Sequence, residues 1–158
     1  MSIQRQDAVL VLADGFTLRG LHLGATGRAF GPLAVSTALA SHATVLAEAD
    51  HEGKIVVFTT SHVGATGTTD TEADEPLRAA GVVTREAPRR ASNWQATGEL
   101  EPDLAADGVV GICEVDTRAL VRHLHDSGPQ QAAIFSGQDI PLDPHAELTE
   151  HTTSRKDA

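Results

Sequence analysis

Sulfur and aromatic side chains are scarce in this chain. It carries one cysteine, one tryptophan and no tyrosine, and its aromatic share is 3%. A lone thiol excludes an internal disulfide and agrees with a reducing compartment. With so few rings, the core must be built from Ala, Val, Leu and Ile. Long apolar runs are missing too. None approaches the ~18–20 residues that cross a bilayer, so no membrane partner is expected. Residues 1–7 show no apolar secretory segment behind a basic start, and the expected location is cytoplasmic. Positive charge is the third shortage. Lys and Arg number 12 against 22 Asp and Glu, a formal net charge of −10, and Arg is strongly preferred over Lys. An acidic surface repels phosphate backbones, which argues against nucleic acid as a partner. The one local basic cluster, Arg85, Arg89 and Arg90, reads as a solvated loop after a strand.

What is present fits a single domain with a modest core: 158 residues, 41% of them hydrophobic. The most informative stretch is residues 111–128. Val109, Val110 and Ile112 form a short apolar strand that feeds straight into a helix. Asp116 suits the N-cap, where its carboxylate accepts from a free backbone N–H of the first turn. Leu120 and Leu124 share one helix face, and Arg118 and Arg122 share a neighbouring one. Gly128 stops the helix as a left-handed residue does.

Elsewhere, Asp14-Gly15 between the apolar stretches 8–13 and 16–23 predicts a β-hairpin. The Gly-rich residues 24–31 predict a loop and residues 35–49 a short helix. A buried strand is expected at 55–59, a loop at 62–74 and a helical turn within 75–80. A strand at 81–85, a short helix at 99–106 and a last strand at 132–136 complete the reading. Strands and short helices without regular βαβ spacing argue for a layered α/β domain, not a doubly wound sheet. The domain is expected over residues 1–137. Residues 138–158 hold Pro141, Pro144 and many charged and hydroxyl side chains. They offer too little apolar surface to offset ordering entropy, which predicts a mobile C-terminal tail.

Each candidate for chemistry has an ordinary reading beside it. A nucleophilic cysteine needs a nearby base and exposure; Cys113 is flanked by apolar residues and Glu114, and reads as a buried filler. His123 and His125 are two apart on a helix, so they point about 200° apart and share no ion. His22, His42, His51 and His62 are scattered without zinc-like spacing, and His145 and His151 fall in the tail. No metal site and no cofactor is expected. The hexapeptides at 22–27 and 62–67 share Gly-Ala-Thr-Gly, but Phe30 stands where a dinucleotide turn needs its third glycine. They read as two similar turns, with an anion-binding nest as the alternative. Asp70, Glu72, Asp74 and Glu75 read as a solvated acidic loop. Asp116, Arg118 and Arg122 suit either an intramolecular cap and ion-pair network or a surface for an acidic partner.

The spelling of residues 116–128 resembles the signature Asp-Thr-Arg-x-Leu-Thr-Arg-x-Leu-Arg-x-x-Gly. That signature belongs to the N-terminal domain of the carbamoyl-phosphate synthetase small chain. Residues 11–15 and 20–27 resemble that family's opening hairpin, 55–67 its second block, and 81–83 with 92–94 its third. The resemblance spans roughly residues 7–136. It implies a layered β/β/α swivelling fold and a partner, either a large synthetase subunit or a separate amidotransferase. It also implies that the glutamine-hydrolysing Cys and His belong to a C-terminal domain, reached through a linker beginning near residue 138. On this reading no residue of the chain is catalytic, and its role is docking or scaffolding. Asp116, Arg118 and Arg122 are the interface or scaffold candidates. The family's Gly-Tyr-Gln-Glu and Asp-Pro-Ser-Tyr clusters are replaced within residues 35–51. Asp50 stands where the family has a Ser that helps bind glutamine. A carboxylate there puts negative charge where a zwitterionic substrate expects a neutral contact. The competing expectation is a small repurposed ligand-binding or sensory domain, alone or as a homodimer.

Overall fold

Asp14 and Gly15 reverse the chain between β1 (Asp7–Leu12) and β2 (Thr17–Gly24), an antiparallel pair in which Leu10 faces Leu18. The Asp14 carboxylate accepts the Phe16 N–H at 3.0 Å and tightens the turn. The computed structural model describes residues 6–37, 42–59, 77–85, 104–128 and 130–156. Four parallel strands follow the hairpin: β3 (Arg28–Ser36), β4 (Ile55–Phe58), β5 (Gly81–Val83) and β6 (Val110–Cys113). The last strand, β7 (Gln131–Ser136), runs antiparallel to both β1 and β3, and β6 is antiparallel to β2. The order β1-β2-β6-β5-β4-β3-β7 closes on itself as a seven-stranded barrel. Helices α1 (His42–Ala47), α2 (Thr117–Ser127) and α3 (Pro144–Lys156) lie among and after the strands. The mixed α/β class agrees with the sequence reading.

Alternation along the strands divides the core. Ala8, Leu10 and Leu12 of β1, Ile55 and Val57 of β4, Val83 of β5 and Ile112 of β6 pack with Ala132 and Ile134 of β7 inside the barrel. Aliphatic side chains of this size fill the interior of a narrow barrel. Leu120 of α2 joins this cluster, fully buried, with Val121 and Leu124 beside it. On the outer side, Val56, Phe58, Val82 and Cys113 pack with Leu46 and Ala47 of α1. Val11, Ala133 and Phe135 form a third cluster with Leu148 of α3.

Several boundaries differ from expectation. Residues 28–36, expected partly as a Gly-rich loop and partly as helix, are the strand β3. Gly31 is there for closeness and not for a turn: a Cβ would collide with the Gly53 carbonyl. Pro32 sits where its missing N–H costs nothing in the ladder to β4, which begins at Leu33. Of the helix expected at 35–49, residues 35–36 belong to β3, 42–47 form α1 and Ala49–His51 form a 3-10 turn, while residues 38–41 lie outside the described residues. Residues 77–80 are not helical, β5 ends at Val83, and residues 104–106 are helical. The remainder of those stretches, the loop at 62–74 and the second hexapeptide lie outside the described residues.

The segment read as a tail contains a 13-residue helix, α3. Asp143 starts it by accepting the Ala146 N–H at 3.1 Å, and Pro144 takes the first helical position, where no N–H is needed. Leu148 is the anchor, 1% exposed. The His151 ring stacks on Phe30 at 3.9 Å, and His145 bonds the Ala13 carbonyl at 2.8 Å. The buried leucine and the two histidine contacts are long-range and do not show in the composition of the segment. We expect Leu148→Ala to destabilise the protein by about 2–4 kcal/mol in urea unfolding. A loss well under 1 kcal/mol would mean that α3 adds little to the fold.

Candidate functional site

The four parallel strands point their C-terminal ends the same way, and the chain beyond each end builds one rim. Thr59 follows β4 and donates its N–H to the Ser36 carbonyl at 3.1 Å. Thr84 and Arg85 follow β5. Beyond β6, the Glu114 N–H donates to the Arg85 carbonyl at 3.0 Å, so the β5–β6 ladder is prolonged to the helix. The Asp116 carboxylate then accepts the Ala119 N–H at 3.0 Å and caps α2, as its position predicts. Gly128, at φ 85°, ends the helix by donating its N–H to the Leu124 carbonyl at 2.8 Å.

With Leu120 buried in the barrel, Arg118 and Arg122 are left exposed on the other side of α2. Among the described residues neither makes an ion pair, and the Asp116 carboxylate is engaged by the cap. A cavity of about 170 Å³ opens at this rim, lined by Thr59, Arg85, Thr117, Arg118 and Val121. A more open one of about 330 Å³ adjoins it, lined by Arg85, Glu114, Val115 and Asp116. Arg85 is the wall common to both.

The structure therefore brings Asp116 and Arg118 to one rim, with Arg122 a turn further along α2. Asp50 is not with them. It is exposed in the 3-10 turn before β4, at the end where the parallel strands begin. Cys113 is 1% exposed in β6 and unbridged. His51 pairs locally with Glu48 at 3.4 Å. Among the described residues no three His, Cys, Asp or Glu side chains gather closely enough to hold a metal ion. Arg89, Arg90 and the acidic run 70–75 lie outside them.

A second polar cluster escaped the sequence reading. His123 Nε2 lies 2.6 Å from Asp14 Oδ2, across 109 residues of sequence. Gln130 donates its amide to the same carboxylate oxygen at 2.9 Å and to Ser127 Oγ at 2.7 Å, and the Phe16 ring stacks on His123 at 4.1 Å. Partial burial pushes the Asp14 carboxyl up. The hydrogen bonds from Phe16 N–H, Gln130 and His123, with the His123 charge, outweigh it and hold the group below its ordinary value. This cluster ties the β1–β2 turn to the end of α2 and the start of β7, and its partners are too distant in sequence to form a motif.

Residues 10–134 match the family model described as carbamoyl-phosphate synthase small chain, CPSase domain. The chain belongs to that family. A carbamoyl phosphate synthase small chain of Streptomyces coelicolor is 42% identical over 138 residues, covering 87% of this chain and 36% of that protein. One of Corynebacterium diphtheriae is 38% identical over 157 residues, covering 98% and 41%. One of Mycobacterium tuberculosis is 41% identical over 132 residues, covering 82% and 35%. The chain thus spans about two fifths or less of the length of these curated relatives. A solved aminopeptidase from Aneurinibacillus sp. strain AM-1 overlaps with a TM-score of 0.49 at 16% identity, covering 85% of this chain and 31% of that one, a likeness too distant to bear on fold or function. The match to the CPSase domain takes in the whole rim, from Thr59 to Arg122, and the Asp14–His123 pair; α3 lies beyond it.

Because the folded Asp14 carboxyl titrates below its unfolded value, the stability it supplies is present above about pH 4 and is lost as pH falls through the folded value. We expect Asp14→Asn to cost about 1 kcal/mol at neutral pH, with the gap from the parent closing in acid. Urea unfolding across pH checks this; a gap that widens on acidification would refute the sign.

Proposed function

We propose that this domain is a non-catalytic docking module that holds a small-chain assembly against a large synthetase subunit, or against a separate amidotransferase. The observation that carries the reading is the pair of exposed arginines on α2, Arg118 and Arg122, which have no ion-pair partner among the described residues. An exposed arginine retains its planar fork for a partner's carboxylate, and an interface gains specificity and encounter rate from such charges. The lone thiol supports the non-catalytic half of the reading. Amide hydrolysis by cysteine chemistry needs an accessible thiolate with a base and an oxyanion hole, and Cys113 is enclosed among Leu23, Val56 and Phe58.

The family resemblance adds the setting. In that setting the module serves carbamoyl phosphate formation for pyrimidine and arginine biosynthesis, in the cytoplasm. The resemblance also suggests that the barrel is a layered swivelling domain, with β3 to β6 as the parallel layer and β7, β1 and β2 as the antiparallel one. Asp50 would sit on the glutamine-facing side, with a charge in place of the family's hydroxyl. No described helix is long and apolar enough to cross a membrane.

Size-exclusion chromatography of the chain mixed with the large synthetase subunit of its own organism tests the proposal. Co-elution at micromolar concentration is expected. The double change Arg118→Glu and Arg122→Glu should weaken it by about tenfold or more, while Cys113→Ser should leave it unchanged. If neither the large subunit nor a glutamine amidotransferase of that organism associates, or if the charge reversals have no effect, the docking role fails.

A further inference from the structure

Docking leaves one feature of the rim unused. Thr117 is 3% exposed, yet its side chain lines the 170 Å³ cavity. Thr84 Oγ1 is the one described side-chain atom enclosed without a hydrogen-bond partner, so the Thr117 hydroxyl is open to the cavity or bonded rather than sealed off. The same cavity is lined by Arg85, beyond the end of β5, by Arg118 from the first turn of α2, and by Thr59, whose hydroxyl donates to the Ser36 carbonyl at 3.4 Å. Neither arginine makes an ion pair among the described residues.

We infer that this cavity is a binding site for the phosphate group of a small phosphate monoester. The donor set fits that class. Among the described residues two arginines and the Thr117 side chain line one partly open cavity, and no carboxylate belongs to that lining. A phosphate has three terminal oxygens to receive such donors, and a planar carboxylate only two. The Ala119 N–H of the first turn is already taken by Asp116, and the affinity is assigned to the side chains. The overall field is not its source, since the chain carries a net charge of −10 and repels anions at a distance. Two arginines converging on one cavity against that field are a local arrangement, and the site is predicted to hold anions by contact rather than by steering. The adjoining cavity sets the rest of the ligand. Glu114 and Asp116 line it on the far side of Arg85, so the part beyond the phosphate carries hydroxyl or amino donors. This inference goes beyond docking and is tested on the chain alone, so either can fail without the other.

The probe is inorganic phosphate, titrated into isotope-labelled protein at constant ionic strength while the backbone amides are followed by NMR. Saturable shifts centred on Arg85, Thr117 and Arg118 are expected. Arg85→Gln and Arg118→Gln should each weaken binding by about tenfold or more. Thr117→Val, which keeps the shape, should weaken it by about threefold to tenfold. Arg118→Lys should not restore full affinity, since the ammonium lacks the fork. Melting temperatures of the variants show whether each is folded, and Arg118, being exposed, is the safest substitution. Acetate binding as tightly as phosphate would overturn the phosphate class. Absence of a saturable shift at tens of millimolar phosphate, or the same response to chloride at equal ionic strength, would overturn the site.

Discussion

The barrel depends on two antiparallel seams, β2 with β6 and β3 with β7, which join a parallel half to an antiparallel half. If either seam opened, it would expose two rows of unpaired backbone groups and the interior aliphatic cluster together. The β2–β6 seam is the tighter constraint. Leu23 lies opposite Gly111, and a Cβ on Gly111 would press against the Leu23 carbonyl and the Val82 side chain. That close approach sets where β6 ends, and so where Glu114 to Asp116 begin to turn into α2. The position of the rim is therefore a consequence of how the barrel closes.

Legibility in the sequence follows the range of each interaction. The hairpin and α2 are readable because their determinants are local: a turn dipeptide between apolar runs, a cap, an i,i+4 leucine pair and a terminating glycine. The apolar strands at 55–58 and 110–113 are readable because both faces are buried. β3 is not, because Gly31 and Pro32 look like loop residues until the Gly53 carbonyl is known to lie against them. α3 carries readable signals at Asp143 and Pro144, but its stability comes from Leu148 meeting Val11 and Phe135, which no window of sequence displays. In the rim, Asp116, Arg118 and Arg122 come from one motif. Thr59 and Arg85 enter only through the parallel pairing of β4 and β5.

The two histidines that hold the β1–β2 turn illustrate how an acidic chain with few rings ties its periphery together. His123 meets the Asp14 carboxylate from α2, and His145 meets the Ala13 carbonyl from α3. Each contact joins segments more than a hundred residues apart. Phe16 and Phe30, two of only four phenylalanines, each stack against a histidine instead of entering the barrel interior as its main filling. Imidazole on a phenyl face supplies apolar contact on one side and a polar edge on the other. That combination suits a boundary where barrel, helix and solvent meet.

Backbone strain falls at the same rim. Glu114 is the one non-glycine among the described residues with a positive φ, 61°, a conformation that costs about 1–2 kcal/mol for an L-residue. Three partners hold it there. Its own N–H extends the β5–β6 ladder to the Arg85 carbonyl. Val115, next in the chain, is 5% exposed in the barrel cluster, and burying such a side chain returns about 1.5 kcal/mol or more. Asp116 then caps α2, an interaction of about 1 kcal/mol. Together these exceed the strain, so the chain can pass from strand to helix within three residues. A longer and more relaxed connection would carry Glu114, Asp116 and Arg118 away from Arg85. The tight turn is thus what gathers opposite charges from two elements around one opening, and it makes this end of the barrel the place where structure and chemistry meet.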